Sequence, residues 1–578
     1  MESVVWPLGR SAPAQISGRR EVDALDGKTI AFIWDDLFRG DQMFAEFVRA
    51  VRERGQSFTV VPHQVFGDIH GYDERDVIRL LPERLAEHGV DAAIVGVGAC
   101  GSCTPAVIRA CQVVEQAGIP SLALVSSGFL RQARATARSV GLDHIWIAEY
   151  PGVIPNDSDA TFEEKVRTHV VPSLLAGFDE LSKGFDVDLA SAPDEPHSRD
   201  IVFRGTFDEV QDYFDSHLWS DGLPVVPPTV QRVEAFLRYT DRDPDEALGT
   251  LLPAMREATI WSVAVNGVMA GCRPEYMPVL IAIAEVIADP AWRLEDAGCT
   301  PGWEPLVLVS GPVVKLLGFN YETGMMRVGC RANSSIGRFT RLIMRNLAGF
   351  LTYPGDTDKG AIGRTFNVAM AENDDLTLSI GWPPSRVEAG FGIEDSVVSV
   401  QSCVGISGPA YTGGTADEQL AMLTRYTKDT LGPWSFTNIT YRASSTLVLM
   451  SPSVAASLAA EGLSKDDVRR YLSAHTLMEA GVLEAEARMA RGNEYSLKDL
   501  VDRGIAPPAY AESEDPRRLV QVIPDPASIR IVLGGDPGRN QNRLYWNNHE
   551  QGLPLHRRVE MNAAIRELAS PAADPAPA

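Results

Sequence analysis

Between residues 28 and about 185 the chain repeats one alternation: a short apolar run, then a longer stretch with apolar residues at helical spacing. The runs are "KTIAFIWDD", "SFTVVPH", "VDAAIVGVG", "IPSLALVSS" and "HIWIAEYPG". Between them lie "DQMFAEFVRAVRER", "ERDVIRLLPERLAEH", "PAVIRACQVVEQAG" and "GFLRQARATARSVG", and a long helix is predicted over about 160–183. Strands that are apolar throughout must be buried on both faces, which parallel sheets covered by crossover helices achieve. The reading is an α/β fold: an N-terminal flavodoxin-like parallel sheet with helices on both faces, followed by a larger α+β region. In a 2-1-3-4-5 strand order, ligands bind beyond the carboxyl ends of the first and third strands.

A chain of 578 residues is too long for one core. Residues 1–27 read as an N-terminal arm, 28–185 as the α/β domain, and the polar, proline-containing 186–200 as a linker. Residues 201–435 read as an α+β domain, with "WSDGLPVVPPT" and "FLRYTDRDPDEALGTLLPA" as its irregular entry. Strands are expected at "EPLVLVSGP", "TFNVAMAEN" and "SVVSVQSCVGIS", and helices at "PEYMPVLIAIAEVIAD" and "NSSIGRFTRLIMRNLAGF". Residues 436–562 read as a C-terminal α/β portion packed on that domain, and 563–578 as a disordered tail.

The formal net charge of −24 repels polyanions, and no Lys/Arg run opposes it, so nucleic acid is not an expected partner. No apolar stretch approaches the roughly 18 residues of a membrane span. The start of the chain does not resemble a signal peptide, which leaves the cytoplasm as the default location. Seven cysteines in such a chain are not a disulfide scaffold and read as thiols.

Two of them stand in "GVGACGSCTP", where the third strand ends. Thr104 suits an N-cap and Pro105 the first helical position, so Cys103 would lie just outside the helix with Cys100 over its open amides. A helix N-terminus favours an anion by about 0.3–1 kcal/mol, up to about 2 kcal/mol when partly buried. That pulls a thiol from about 8.5 towards roughly 7–8. Cys-x-x-Cys spacing also lets one thiol attack and the other resolve. Three readings stay open: redox or nucleophilic chemistry, small-residue packing, and a metal site, for which one such pair supplies only two ligands. Asp35, Asp36 and Arg39, at the end of the first strand, would face the same crevice. Ser102 and Thr104 are candidate substrate contacts. Cys111 reads as core, and His63 and His70 as surface.

"CGSC" at the end of the third strand of such a domain resembles the UGSC family, in which selenocysteine-Gly-Ser-Cys occupies this place. The resemblance implies that Cys100 stands where the selenocysteine stands and Cys103 where the motif cysteine stands. The domain is similar in outline to the selenoprotein B subunits of glycine and betaine reductases, which implies reductive chemistry at a reactive thiol. "WSDGLPVVPPT" and "VNGVMAGCRPEYMPVLIAIAEVI" resemble a module that accompanies such domains and has no established activity.

Beyond the α/β domain, Cys272, Cys299 and Cys330 each follow a glycine. They read as a metal or cluster site or as three separate buried cysteines. Glu275 follows as a first-turn carboxylate or a substrate contact. In "RANSSIGR", Asn333 or Ser334 would cap a helix whose start carries Arg331 and Arg338, a carboxylate or phosphate pocket or else a solvated helix end. Glu372 and Asn373 end a strand and are pocket candidates. "LGGDPGRNQNR", with Arg539, could cradle an anion, but lacks dinucleotide or P-loop spacing.

The expectation is a thiol-dependent oxidoreductase in which Cys100 attacks a small organic substrate and Cys103 resolves the adduct. One rival is a non-redox Cys100 nucleophile that makes or breaks a carbon–sulfur or carbon–nitrogen bond. The other is a thiol-carrying subunit of a larger reductase. No metal and no organic cofactor is implied, although a metal at the cysteines stays open. An external thiol reductant, with a thiol reductase as partner, would close the cycle. A homo-oligomer is open.

Overall fold

The computed structural model describes residues 1–11, 25–181, 195–352, 357–360, 362–363, 365, 368–432, 435–491 and 496–569. The expected alternation is present as β1 (Thr29–Trp34), α1 (Gly40–Glu53), β2 (Thr59–Val61), α2 (Glu74–Glu87), β3 (Ala92–Gly98), α3 (Cys103–Gln116), β4 (Ser121–Ser126), α4 (Leu130–Ser139) and β5 (Trp146–Tyr150). The strands pair in the order β2-β1-β3-β4-β5, all parallel. The period of two in each strand sorts its side chains onto two cores. Ile30, Phe32 and Trp34 of β1 pack with Phe44 and Phe47 of α1 and with Leu174 and Phe178. Ala31 and Ile33 pack on the other face with Val77, Leu81, Val107, Cys111 and Ala133. Burial of Cys111 there pushes its thiol far up, as suits a core cysteine.

The arm and the tail differ from expectation. Glu2–Val5 forms a strand antiparallel to Ile201–Gly205, and Val4, Val5 and Trp6 are buried in the core of the second unit. The apolar "VVW" needs a partner surface, and the strand at 201–205 supplies it. Residues 12–24 of the arm, 186–194 of the linker and 570–578 of the tail lie outside the described residues. Ala563–Ala569, expected to be disordered, forms a helix with Ile565 buried.

The second unit is built on a mixed sheet whose strands come from both sides of residue 435. Glu304–Ser310 pairs in parallel with Met370–Ala371 and antiparallel with Val397–Ile406. Gln541–Asn547 then bridges Val397–Ile406 and Thr446–Met450, and Ile529–Leu533 closes that edge. The segments 201–435 and 436–562 therefore share one sheet. The expected strand at "TFNVAMAEN" is only Met370–Ala371, and residues 366–367 lie outside the described part. The irregular entry contains helix Val230–Leu237, capped by Thr229, and strand Ala247–Leu251. Helices Ile260–Met269 and Met277–Ala288 are apolar nearly all round and buried. No helix among the described residues is long and apolar enough to cross a membrane.

Candidate functional site

β3 delivers the "CGSC" turn to the carboxyl edge of the sheet, and α3 begins inside the motif. Its first residue is Cys103 and its N-cap Ser102, two residues earlier than the Thr104 cap expected. The reason lies in Thr104, whose hydroxyl turns back to donate to Cys100 O (2.7 Å) while its amide also reaches that carbonyl (3.2 Å). The amide of Cys103 donates to Cys100 Sγ at 3.1 Å, so a sulfur caps the helix. Cys100 is half-buried and Cys103 fully buried, and the two are joined in a disulfide with a Cα–Cα distance of 5.3 Å.

The second unit lies directly on this turn. A Cβ on Gly101 would collide with Gly298 O, so glycine is required where the segment 298–300 crosses. The Gly101 amide donates to Thr300 Oγ1 (3.2 Å), and its carbonyl accepts from Gln132 Nε2 (2.7 Å). Of the three glycine–cysteine segments, it is the one containing Cys299 that covers the motif. Burial raises that thiol well above its usual range, with the Glu550 and Asp358 charges adding to the effect.

Beneath the cover, Ser102 Oγ lies 3.5 Å from Cys100 Sγ and acts on the Glu550 carboxylate. Glu550 stands 3.7 Å from His549 Nε2 and 3.9 Å from His70 Nε2. Burial alone would raise Glu550, but the facing His549 and the His70 charge outweigh it and hold it at about 2. Burial would likewise lower His70. Its hydrogen bond to Glu74 and the charges of Glu550, Glu74 and Asp296 instead raise it to about 9. His70 is 1% exposed, so the expectation of a surface histidine is wrong. Its ring is covered by Tyr441, which also packs against His549.

Glu74 and Asp296 come together with His70 at metal-site spacing, one ligand atom from each lying within 4.8 Å of the others. The donor set does not fit one. Arg109 Nη2 bridges Glu74 (2.8 Å) and Asp296 (2.7 Å), and Arg293 Nη2 bridges the same carboxylates at 2.6 Å each. Their lone pairs are already engaged by guanidiniums, and His70 carries its proton at neutral pH. Glu74 and Arg109 belong to the first unit, and Arg293 and Asp296 to the second. This quartet clamps the covering segment onto α2 and α3.

The end of β1 forms the other wall. Asp35 is fully buried; one oxygen accepts from Val97 N (2.8 Å) and the other has no hydrogen-bond partner. Burial raises it well above the carboxylate range, with the Asp68 charge adding. Asp68 is raised to about 7 by burial and by Asp36. Asp36 pairs with Arg503 of the second unit (3.4 Å). Asp36, Phe38 and Arg39 all have positive φ (51°, 58° and 60°), the kind of backbone strain that clusters at functional sites. Arg39 itself is turned away: its guanidinium stacks on Phe162 and pairs with Asp159 (3.0 Å).

The remaining sequence candidates stand in other contacts. Arg331 donates to Gly271 O and Arg338 pairs with Asp221 (2.7 Å). Helix Arg331–Ile343 is capped by Cys330, and Asn333 lies inside it, tying Asn320 and Ala369. Cys272 is buried under Ser335 and its thiol pushed up to about 12 by burial, while Cys330 Sγ donates to Gly318 O. The three glycine-linked cysteines thus make no single cluster. Glu275 lies 3.7 Å from Arg273. Glu372 is buried and accepts from Ser310 Oγ (2.7 Å) and Ser385 Oγ (2.6 Å). Asn373 caps Asp374–Ser379. Arg539 is exposed in the turn after Ile529–Leu533.

Sequence reasoning missed His70, Glu74, Thr300, His549 and Glu550. The i,i+4 spacing of His70 and Glu74 and the unbroken polar run "NNHEQ" between two strands were the available signals.

A family model, that of the UGSC family, matches residues 3–178. This N-terminal region is a UGSC-family region, and it contains Cys100, Ser102, Cys103, Asp35, Asp68, His70, Glu74 and Arg109. No curated protein and no solved structure matches the chain.

Proposed function

We propose that the chain is a thiol-dependent oxidoreductase that reduces a small organic substrate at Cys100. The observation that supports this reading most is the placing of the two sulfurs. The half-buried Cys100 Sγ takes an amide N–H at a helix start, and Cys103 waits behind it, fully buried and within bonding reach. An accepted N–H and a helix N-terminus both favour the thiolate.

In this reading the dithiol form is the working state. The Cys100 thiolate displaces a leaving group X from R–X, giving Cys100–S–R and X⁻. The Cys103 thiolate then attacks Cys100 Sγ; R leaves with the electron pair of the S–R bond and takes a proton. The sum is R–X plus two thiols giving R–H, H–X and the Cys100–Cys103 disulfide. An external dithiol returns the two electrons. Ser102 and the Glu550–His70 pair offer a proton route at the sulfur, because His70 holds a proton at neutral pH and its partner carboxylate is ionised. The buried, clamped cover would exclude water from the adduct.

The test is single-turnover mass spectrometry. Cys103→Ser should accumulate one stable adduct on Cys100 and stop. Sustained turnover by that variant would sink the redox reading and leave Cys100 as a simple nucleophile.

A further inference from the structure

We infer a second ligand site, away from the thiol pair, that takes the carboxylate of a small organic molecule with an apolar body, anchored by Arg530. The inference does not depend on the thiol chemistry.

Strand Ile529–Leu533 turns Ile529, Ile531 and Leu533 into one core, while Val532 packs in another, apolar one. Period-two alternation puts Arg530 on the Val532 side, a cation in an otherwise apolar row. One of its terminal nitrogens donates to Gln401 Oε1 (3.2 Å). The other is buried and has no hydrogen-bond partner. Among the described residues no carboxylate lies within ion-pair distance of it. The acids that act on it from further off, Glu372 and Glu388, are held elsewhere: Glu372 by Ser310 and Ser385, Glu388 by Lys465 and Arg469. Arg530 as a whole is half-buried, but a guanidinium with a buried terminal nitrogen is normally paired, so one without an anion points to a missing ligand. Burial accordingly draws Arg530 down to about 10.

Arg530 lines a cavity of about 790 Å³ and a second of about 580 Å³. The larger is walled by Ile439, Ile505, Val522 and Leu553, which suits an apolar body. Its polar equipment includes Asn438, whose side-chain nitrogen and oxygen are both buried without a hydrogen bond, and Ser444 Oγ in the same condition. His556 is lowered to about 4, by burial first and then by the Arg530 and Arg557 charges, and is neutral. Arg442 lies at the wall with its guanidinium over Tyr72, and the exposed Asp525 opposes a second negative charge. With Arg442 engaged by Tyr72 and Ile505 O, Arg530 is the anchoring cation, and neutral donors with an opposing acid fit a monoanionic carboxylate better than a phosphate dianion.

The test is isothermal titration calorimetry of the full-length protein with hexanoate and benzoate, their neutral amides, and inorganic phosphate. A saturable site is expected for at least one carboxylate, without binding of its amide. Arg530→Gln should weaken that binding by about tenfold or more. Ala527→Trp, at the exposed rim of both cavities, should block it in a protein with an unaltered circular dichroism spectrum. Ala527→Trp carries the decision if Arg530→Gln does not fold. No carboxylate binding to the wild type, equal binding of the amide, tighter binding of phosphate, or unchanged affinity in the folded variants would each overturn the proposal.

Discussion

Among the described residues two helices start at a cysteine, and they differ in what stands over them. α3 begins at Cys103 with Cys100 Sγ on its amide, and the helix Arg331–Ile343 begins just after Cys330. The first start is roofed by Gly298–Thr300 and faces His70, Glu550 and Ser102. At the second, the adjacent cations are already engaged: Arg331 with Gly271 O, Arg338 with the Asp221 carboxylate. Cys330 Sγ donates to a carbonyl, and burial keeps the neighbouring Cys272 protonated, pushed up to about 12. A cysteine and a helix start are therefore not enough; what matters is whether acceptors and titratable groups converge on the sulfur or are already satisfied.

The largest contrast should appear in turnover. Cys100→Ser and Cys103→Ser should each abolish multiple turnover, while Cys330→Ser should stay within about twofold of the wild type, because serine can make the same bond to Gly318 O. Comparable losses at both helix starts, measured as steady-state rates, would break the comparison.

The second contrast is in stability. Arg293→Met leaves Glu74 and Asp296 with one guanidinium between them and should cost about 3–5 kcal/mol, read as a lower urea midpoint. Because the clamp holds the cover on the motif, Arg293→Met should also raise the alkylation rate of reduced Cys100. Arg338→Met, which frees Asp221, should cost about 1–3 kcal/mol and leave Cys100 alkylation unchanged.

The third contrast is in pH. His70 is raised to about 9 in the folded chain from an unfolded value near 6.5, so its stabilisation is complete below about 6.5 and is lost as the pH rises through 9. The wild-type urea midpoint should fall from pH 7 to 9.5 more steeply than that of His70→Asn. Parallel curves would mean that the His70–Glu74–Glu550 cluster is not ionised as described. The smallest effect is expected for Cys330→Ser on stability, within about 0.5 kcal/mol in the same assay.

The parallel order of β2-β1-β3-β4-β5, the end of β3 at the motif and the core role of Cys111 were legible in the sequence. Each rests on local periodicity: continuous apolar runs for strands buried on both faces, 3.6-residue spacing for the covering helices, and glycine with small polar residues where the chain must turn. The position of Thr104 was misread by two residues because its hydroxyl bonds backwards to Cys100 O, a choice that propensity does not encode.

What only the tertiary structure decided is which distant residues meet the motif. "AGC", "AGC" and "VGC" at Cys272, Cys299 and Cys330 are almost the same word, yet only the second lies on Gly101. His70 and Glu550 are separated by nearly the whole chain and become partners because the C-terminal turn after Gln541–Asn547 folds over the first sheet. The ionisation of His70, Asp68 and Glu550 follows from that meeting, since burial and facing charge, not residue type, set where each group holds its proton. Local sequence fixes backbone and periodic faces through short-range sterics and hydrogen bonding. Contacts between units depend on the packing of whole surfaces, and no window of the sequence contains both sides.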